Sequence, residues 1–597
     1  MSFSKEDEKR LKRLGVSNLL DLALITPSSY EDRRLHPFVR LNELNAVSAL
    51  IKSVSFSPKN MRLILYAENL KQTLTAVIFN PKNYHKKSFK EGERYFLIGR
   101  VENYYGHLQL LQPKILDSVG EITPKYKTPL RSKSVFELMK RYLSLKALLK
   151  EGLLEEEAKR ILDLHFPKNF VPAIDKEMKL LKFVEIFNYM KKLSTKRVRQ
   201  KASKTFQNPN PNPFINSLPF RLTNDQIKAI EDIKRDLESE YAAKRVVMGD
   251  VGCGKTMVML ASAFMVHPSK AVLMAPTTVL AEQIYNEAKK YLSFFDIKIA
   301  LVTNKSKKED LNEYDFIIGT HALLYRDLPK CDLVMVDEQH RFGTVQREMI
   351  KKLISKDNLS PHYIQFSATP IPRTLSLIES NLVDYSFIKE LPFKKDITTK
   401  IVTKKDFRDL IAHIKSEADK SNQTIIVYPL VEESEAIDYL SIDEAKDYWL
   451  KHFEGVYVTH GKDRDKGDVL KEFREKGKIL IATTLIEVGI SLPKLTTIVI
   501  VAPERMGLAT LHQLRGRVSR NGLKGYCFLF TKHPENERLK AFCETLDGFE
   551  IAKLDLKFRQ SGDILKGEQQ SGKSFRFFDP ALDEEIAKEA KKRVESV

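Results

Sequence analysis

Between residues 46 and 116 apolar and polar residues alternate in short runs, ALIKSVSF, MRLILYAE, LTAVIF, RYFLIGRVE and HLQLLQPKIL, broken by Pro, Asn and Gly. Alternation with period two predicts half-buried strands. Five in succession suggest a small closed barrel of the oligonucleotide-binding type, with any other five-stranded barrel or sandwich as the alternative. From residue 220 the pattern changes. RVVMGD, AVLMAP, DFIIGT, LVMVDE and YIQFSAT, then TIIVYPL, VYVTH, KILIAT, TIVIVAP and YCFLFT, are apolar strands separated by amphipathic helices. That alternation predicts parallel sheets covered by helices on both faces. The polar stretch KELPFKKDITTK at 389–400 falls midway and divides them into two doubly wound domains in tandem. Residues 1–45 read as helical, with a polar break at Ser28–Arg34, and 135–205 return to helical spacing before the loop NPNPNPF. The fold class is α/β, and the expected divisions are 1–45 (helical), 46–118 (barrel), 119–215 (helical and linker), 216–395 and 396–540 (sheet domains), and 541–597 (a following segment and tail).

Length agrees with this division, because 597 residues exceed one hydrophobic core and favour roughly three or four domains. No apolar run approaches the ~18 residues needed to cross a bilayer. The first fifteen residues, MSFSKEDEKRLKRLG, lack the apolar centre of a secretory signal, so a cytoplasmic location is expected and no membrane partner. The four cysteines contain no CxxC pair, which argues against a disulfide framework and a structural zinc site. Lys plus Arg exceed Asp plus Glu by 99 to 79, a net +20 that favours a polyanionic partner without naming it. The basic stretch KKLSTKRVRQKASK reads first as a solvated helix face before a linker, with DNA-backbone contact as the alternative.

The chemistry starts at GDVGCGKT, Gly249, Asp250, Val251, Gly252, Cys253, Gly254, Lys255 and Thr256, which follows an apolar strand and opens a helix. That is the context of a phosphate-binding loop, in which glycines let backbone N–H groups turn inward and the helix N-terminus faces the anion. Lys255 would reach the β and γ phosphates and Thr256 would ligate magnesium. Ligands of open parallel sheets sit at the carboxyl ends of the strands, so Asp337 and Glu338, at the tip of LVMVDE, would arrive beside this loop. Asp337 would hold magnesium and Glu338 would polarise the attacking water. A helix cap explains one of these carboxylates but not both. Gln339 and His340 either relay γ-phosphate state toward SAT or cap locally. In HQLRGRVSR, Arg517 and Arg520 lie one helical turn apart, suited to stabilise γ-phosphate charge across a cleft unless they are a basic surface. Cys253 is either a reactive thiol, activated by the helix N-terminus, or a small filler.

The series LTNDQ, GDVGCGKT, APTTVLAEQ, GTHALL, VDEQHRFG, SATPIPRTL, ATTLIEVGI and LHQLRGRVSR resembles the ordered motifs of superfamily 2 helicases. VDEQHRFGTVQR, SATPIPRTL, YEDRR and DGFEIAKLDLKFRQSGDIL, with QSG at 570–572, resemble the RecG family of bacterial branched-DNA helicases over nearly the whole chain. The transcription-repair coupling factor family shares the motor but carries much longer amino-terminal regions. The resemblance implies two RecA-like motor domains behind an OB-fold wedge, ATP and Mg2+ as cofactors, and a monomer with 3'–5' polarity that regresses forks and migrates Holliday junctions. It also implies a contact with the single-strand DNA-binding protein. Residue by residue, it implies Phe220, Leu222 and Gln226 around adenine, and Lys255, Thr256, Asp337 and Glu338 in hydrolysis. Arg517 and Arg520 would complete that site, and Thr277 and Thr320 would meet the DNA backbone. Coupling would fall to Gln339, His340, Ser367, Thr369, Glu487, Gly489, Arg559 and Gln570. Departures from the family are Ser491 for an Asp, Ser519 for a Gly, and Arg559–Gln560–Ser561–Gly562 for RGPG, so the coupling of hydrolysis to movement is where a difference is expected. For the wedge, the loop FNPKNYHKKSFKEG offers Phe79 and Tyr84 for base stacking, with Lys82, Lys86 and Lys87 for phosphates. Phe79 as a core residue is the alternative, and Tyr104 and Tyr105 are rivals.

Overall fold

The computed structural model describes residues 3–197, 199–307, 310–354, 359–368, 373–393, 395–429, 439, 441–460, 466–483, 492–519, 522–566 and 575–596. Contacts divide the chain into two units. The first runs to Lys191 and takes in Ser574–Asp579 and Glu585–Val597, and the second holds Lys192–Lys573 and Pro580–Glu584. The boundary at Lys191 falls within 119–215, and 541–597 contributes to both units.

In the first unit, strands Leu44–Phe56, Asn60–Ala67, Gln72–Phe79, His107–Ile115 and Arg94–Tyr104 pair in that order and close into a barrel. All pairings are antiparallel except the one joining Gln72–Phe79 to His107–Ile115. Alternate residues fill the interior, among them Val47, Ile51, Met61, Leu63, Leu65, Ile78, Leu97 and Leu110. The polar break near residue 30 is not a loop: Ser29–Asp32 pairs antiparallel with Ile122–Lys125. This ribbon ties the chain before the barrel to the chain after it, a long-range pairing that no local pattern announces. Helices Ser132–Tyr142, Leu145–Lys150, Glu155–His165 and Met178–Ser194 follow. The end of the chain completes the unit. Glu185 accepts backbone N–H groups from Arg576, Phe577 and Phe578 at 2.7, 2.8 and 2.8 Å. Arg593 in helix Glu584–Ser596 pairs with Glu157 at 3.0 Å.

The second unit holds two large parallel sheets and a small two-stranded one, Leu359–Ser360 beside Lys201–Ala202. The first has seven strands in the order Ile299–Val302, Phe316–Gly319, Ala271–Met274, Leu333–Asp337, His362–Ser367, Lys244–Gly249, Asp384–Ile388. The second has six, Ile397–Val402, Gly525–Phe530, Leu495–Val501, Gln423–Tyr428, Ile479–Thr483, Val456–Thr459. Every strand read from the sequence is present, and among the described residues the two large sheets hold three more, Ile299–Val302, Asp384–Ile388 and Ile397–Val402. All three are edge strands. An edge strand is half solvated and need not be apolar throughout, which is why ITTKIV is hidden inside a polar stretch. Among the described residues no helix is long and apolar enough to cross a membrane.

Candidate active site

Strand Lys244–Gly249 ends at the loop Asp250–Gly254, from which helix Lys255–Val266 starts. Gly252 and Gly254 adopt φ of +86° and +79°, where a side chain is strained, and a Cβ on Gly254 would collide with the Gln226 amide. Lys255 Nζ donates to Gly249 O at 2.7 Å and Asp250 O at 3.2 Å, so its ammonium is folded into the loop. Burial acts to lower its pKa, but the neighbouring Cys253 and the carboxyl groups of Glu338, Asp337 and Asp250 raise it above the ordinary value. Thr256 follows it in the first helical turn, half-buried.

Asp337 closes strand Leu333–Asp337, one strand away from the loop strand, with His362–Ser367 between them. It is buried, and its Oδ1 has no hydrogen-bond partner. Burial and the neighbouring Glu338 charge push the Asp337 carboxyl well above its ordinary range, against the pull of Lys255. A lone buried carboxylate oxygen is the donor a magnesium ion takes. Among the described residues no group of three or more His, Cys, Asp or Glu side chains could hold a metal ion, so Asp337 would hold magnesium only together with a bound nucleotide. Glu338 is held at φ +48°, ψ +49°, an uncommon conformation for a residue with a Cβ. Its Oε1 accepts from Ala368 N at 2.7 Å, and Ser367 Oγ lies 3.5 Å from its Oε2, so it touches the SAT segment directly. His340 Nδ1 is 3.4 Å from the same carboxylate, and Gln339 begins the 3-10 turn beside it.

The structure also moves several expected residues. Gln226 does not face an open base site: it is buried, donates to Cys253 O at 2.9 Å, and accepts from Thr223 N at 2.8 Å as half of a capping box. Leu222 packs in the core of the first sheet. Phe220 is 45% exposed, edge-on to Tyr291 at 6.0 Å. Cys253 is fully buried, and burial pushes its thiol up, the reverse of an activated nucleophile, because the apolar surroundings outweigh Lys255. Thr277 and Thr320 spend their hydroxyls as helix caps, on Leu280 N and Ala322 N, and Thr320 is buried. Arg559 lies in helix Gly548–Lys566. Thr369, Glu487, Gly489, Ser491, Arg520 and Gln570 lie outside the described residues.

Side-chain hydrogen bonds join the sheets across this site. Arg341 donates to Gln513 Oε1 at 2.6 Å, and His512 Nε2 meets Asp250 Oδ1 at 2.6 Å. Asp250 is also 3.5 Å from Lys395, and burial, which opposes ionisation, is outweighed by His512 and Lys395, holding its carboxyl far below the ordinary range. Gly516 sits so close to Val251 that a Cβ would lie 2.9 Å from the Val251 Cβ. Arg517 follows directly, so the arginine segment abuts the phosphate loop. Motif spacing pointed to Arg517 and gave no signal for His512, Arg515 or Lys395, whose partners are remote in sequence.

In the barrel, Phe79 is 46% exposed and stands outside the core. Residues Asn83–Ser88 form a short helix that carries Tyr84, 61% exposed, with Lys86 and Lys87. Lys82 precedes it, and Lys86 Nζ lies 3.8 Å over the Phe56 ring. Tyr104 and the almost fully exposed Tyr105 pack edge to face at the tip of the next hairpin.

The sequence matches the family model described as RecG wedge domain over residues 2–144, the DEAD/DEAH box helicase model over 223–378 and the helicase conserved C-terminal domain over 405–522. It is 45% identical over 608 residues to the ATP-dependent DNA helicase RecG of Helicobacter pylori, covering 98% of this chain and 97% of that one. It is 32% identical over 645 residues to the RecG of Aquifex aeolicus, covering 96% and 80%. A solved structure of RecG bound to a three-way DNA junction superposes with TM-score 0.58 at 28% identity, over 100% of this chain and 84% of that one. With its barrel, its paired parallel sheets and its loop between them, this chain belongs to the RecG family of ATP-dependent DNA helicases.

Proposed function

We propose that ATP hydrolysis between the two sheets drives this protein 3'–5' as a monomer along DNA and remodels branched structures, regressing forks and migrating Holliday junctions during recombination and repair in the cytoplasm. The observation that carries the reading is the likeness, along the full chain, to a RecG solved on a three-way DNA junction. In this reading Lys255 leaves Gly249 O and Asp250 O for the β and γ phosphates. Thr256 and Asp337 would hold magnesium, which would supply positive charge against the phosphates. Glu338 orients the attacking water, and its hold on Ala368 N carries the γ-phosphate state into Ser367 and Thr369. Gln339 and His340 border that path, and Arg517 and Arg520 reach the γ-phosphate. Phe220 is the exposed ring available to adenine, with Leu222 and Gln226 shaping the wall behind it. Thr277 and Thr320 set the strand ends that face the DNA backbone, and Glu487, Gly489, Arg559 and Gln570 couple lobe movement to DNA.

The barrel is the wedge. Phe79 and Tyr84 would stack on bases at the branch, each worth roughly 1–3 kcal/mol, comparable to the ~1.4 kcal/mol of a DNA stacking step. Lys82 and Lys87 would meet phosphates. The single-strand DNA-binding protein is the expected protein partner.

The test is ATP-dependent regression of a labelled fork, with a linear duplex alongside. Lys255→Ala should lower kcat for ATP by about 100-fold or more and abolish regression. Tight fork binding with hydrolysis and no regression would replace this reading by an ATP-gated clamp. Tyr84→Ala should weaken fork binding about tenfold while leaving duplex-stimulated ATPase alone. Unchanged fork binding would move the wedge to Tyr104 and Tyr105.

A further inference from the structure

Asp250 is an acid in a loop built for a polyanion, and its oxygens are turned away from that purpose. Oδ1 accepts from Val251 N at 2.6 Å and from His512 Nε2 at 2.6 Å, while Oδ2 faces Lys395, which also donates to Val251 O at 2.7 Å. A carboxylate only accepts, so His512 Nε2 carries the proton. Arginine only donates, so His512 Nδ1 accepts from Arg515 Nη2 at 3.2 Å. Arg515 is buried and continues the line, with Nη1 donating to Phe542 O at 3.0 Å and Nη2 to Thr545 O at 2.8 Å. Phe542 and Thr545 lie at the joint between helix Glu537–Glu544 and helix Gly548–Lys566. A second hydrogen bond, Leu508 N to Asp555 Oδ1 at 3.1 Å, fixes that long helix to the start of helix Leu508–Arg515.

We propose that Asp250 and His512 are positioning residues that tie the phosphate loop through Arg515 to the helix following the second sheet, so that the loop's position is passed to that helix in each ATP cycle. The Asp250 side chain is then not a nucleotide ligand. Lys395, in the chain joining the two sheets, neutralises the buried carboxylate that this tie requires. When nucleotide draws Lys255 out of the loop, Asp250 O loses its donor, and a shift of the loop is felt directly at His512. This rests on the ATP-driven reading given above.

The experiment compares Asp250→Ala, Asp250→Asn, His512→Ala and the Asp250→Ala/His512→Ala double variant in full-length protein, measuring kcat and KM for ATP with and without fork DNA, and base pairs regressed per ATP. Misplacement of about 1 Å at a remote group costs up to about 100-fold in rate, so His512→Ala should lower fork-stimulated kcat about tenfold or more, with KM within about twofold. The double variant should be no worse than the poorer single one, since both break the same line. Asp250→Asn, which keeps an acceptor for His512, should recover most of the loss and stays informative if Asp250→Ala fails to fold. A tenfold rise in KM at unchanged kcat, or losses that multiply in the double variant, overturns the proposal. Wild-type protein that hydrolyses ATP but regresses no fork would sink the branched-DNA reading alone, leaving the kcat comparison intact.

Discussion

At the scale of single residues, Ser519 carries the clearest physical tension. It stands where the family has glycine and sits at φ +58°, buried, with its hydroxyl accepting from Asp396 N at 3.1 Å. The left-handed conformation costs a residue with a Cβ about 1–2 kcal/mol, and the hydrogen bond returns about 1 kcal/mol. Ser519→Gly should therefore leave stability within about 1 kcal/mol, while Ser519→Ala, which keeps the strain and loses the bond, should cost about 1–2 kcal/mol in urea unfolding. Equal effects of the two would remove the strain from the account. What the sequence made legible at this scale was contiguous chemistry: glycines next to a lysine, and two carboxylates at a strand tip. The role of Asp250 was not, because its partner His512 lies 262 residues away. The bond from Gln226 to Cys253 O was not legible for a similar reason, since that carbonyl belongs to a loop 27 residues further on.

Among elements, helix Glu155–His165 carries a pH dependence of the first unit. His165 is fully buried, with Nε2 donating to Ala23 O at 2.9 Å and Nδ1 accepting from Tyr126 Oη at 2.9 Å. Burial lowers it from 6.5 to about 4, against the pull of the Ala23 carbonyl. The folded state resists the proton that the unfolded chain accepts, so this stability is whole above pH 6.5 and is lost as pH falls toward 4. Between pH 8 and pH 5 the loss should reach about 2 kcal/mol. His165→Gln supplies the same donor and acceptor without titrating, and should flatten that part of the unfolding profile. An unchanged slope would place the titration elsewhere. The elements also mark where pattern reading stops. Interior strands of both sheets announce themselves as apolar runs, whereas the edge strands Asp384–Ile388 and Ile397–Val402 and the Ser29–Asp32 ribbon carry polar residues along their length and read as polar chain.

For the molecule as a whole, tandem sheets behind a barrel were readable from periodicity alone, but the route of the chain was not. Helix Glu584–Ser596, EEIAKEAKKRVES, is amphipathic, and nothing in its composition says which core its Ala587 and Ala590 join. They join the first unit, where Glu185 holds three backbone N–H groups and Phe578 is buried. Glu185→Ala strands those donors and should destabilise the first unit by about 3 kcal/mol, and Phe578→Ala by about 3–5 kcal/mol, each seen as an earlier unfolding transition in urea. If neither moves that transition, the returning segment does not stabilise the unit.

That return has a cost in time during synthesis. Glu185 must wait for Arg576, 391 residues later, and at about 5–20 residues per second the ribosome takes roughly 20 to 80 s to deliver it. Through that interval the second unit is being made while the first remains open, so the part of the protein begun first is among the last to be finished.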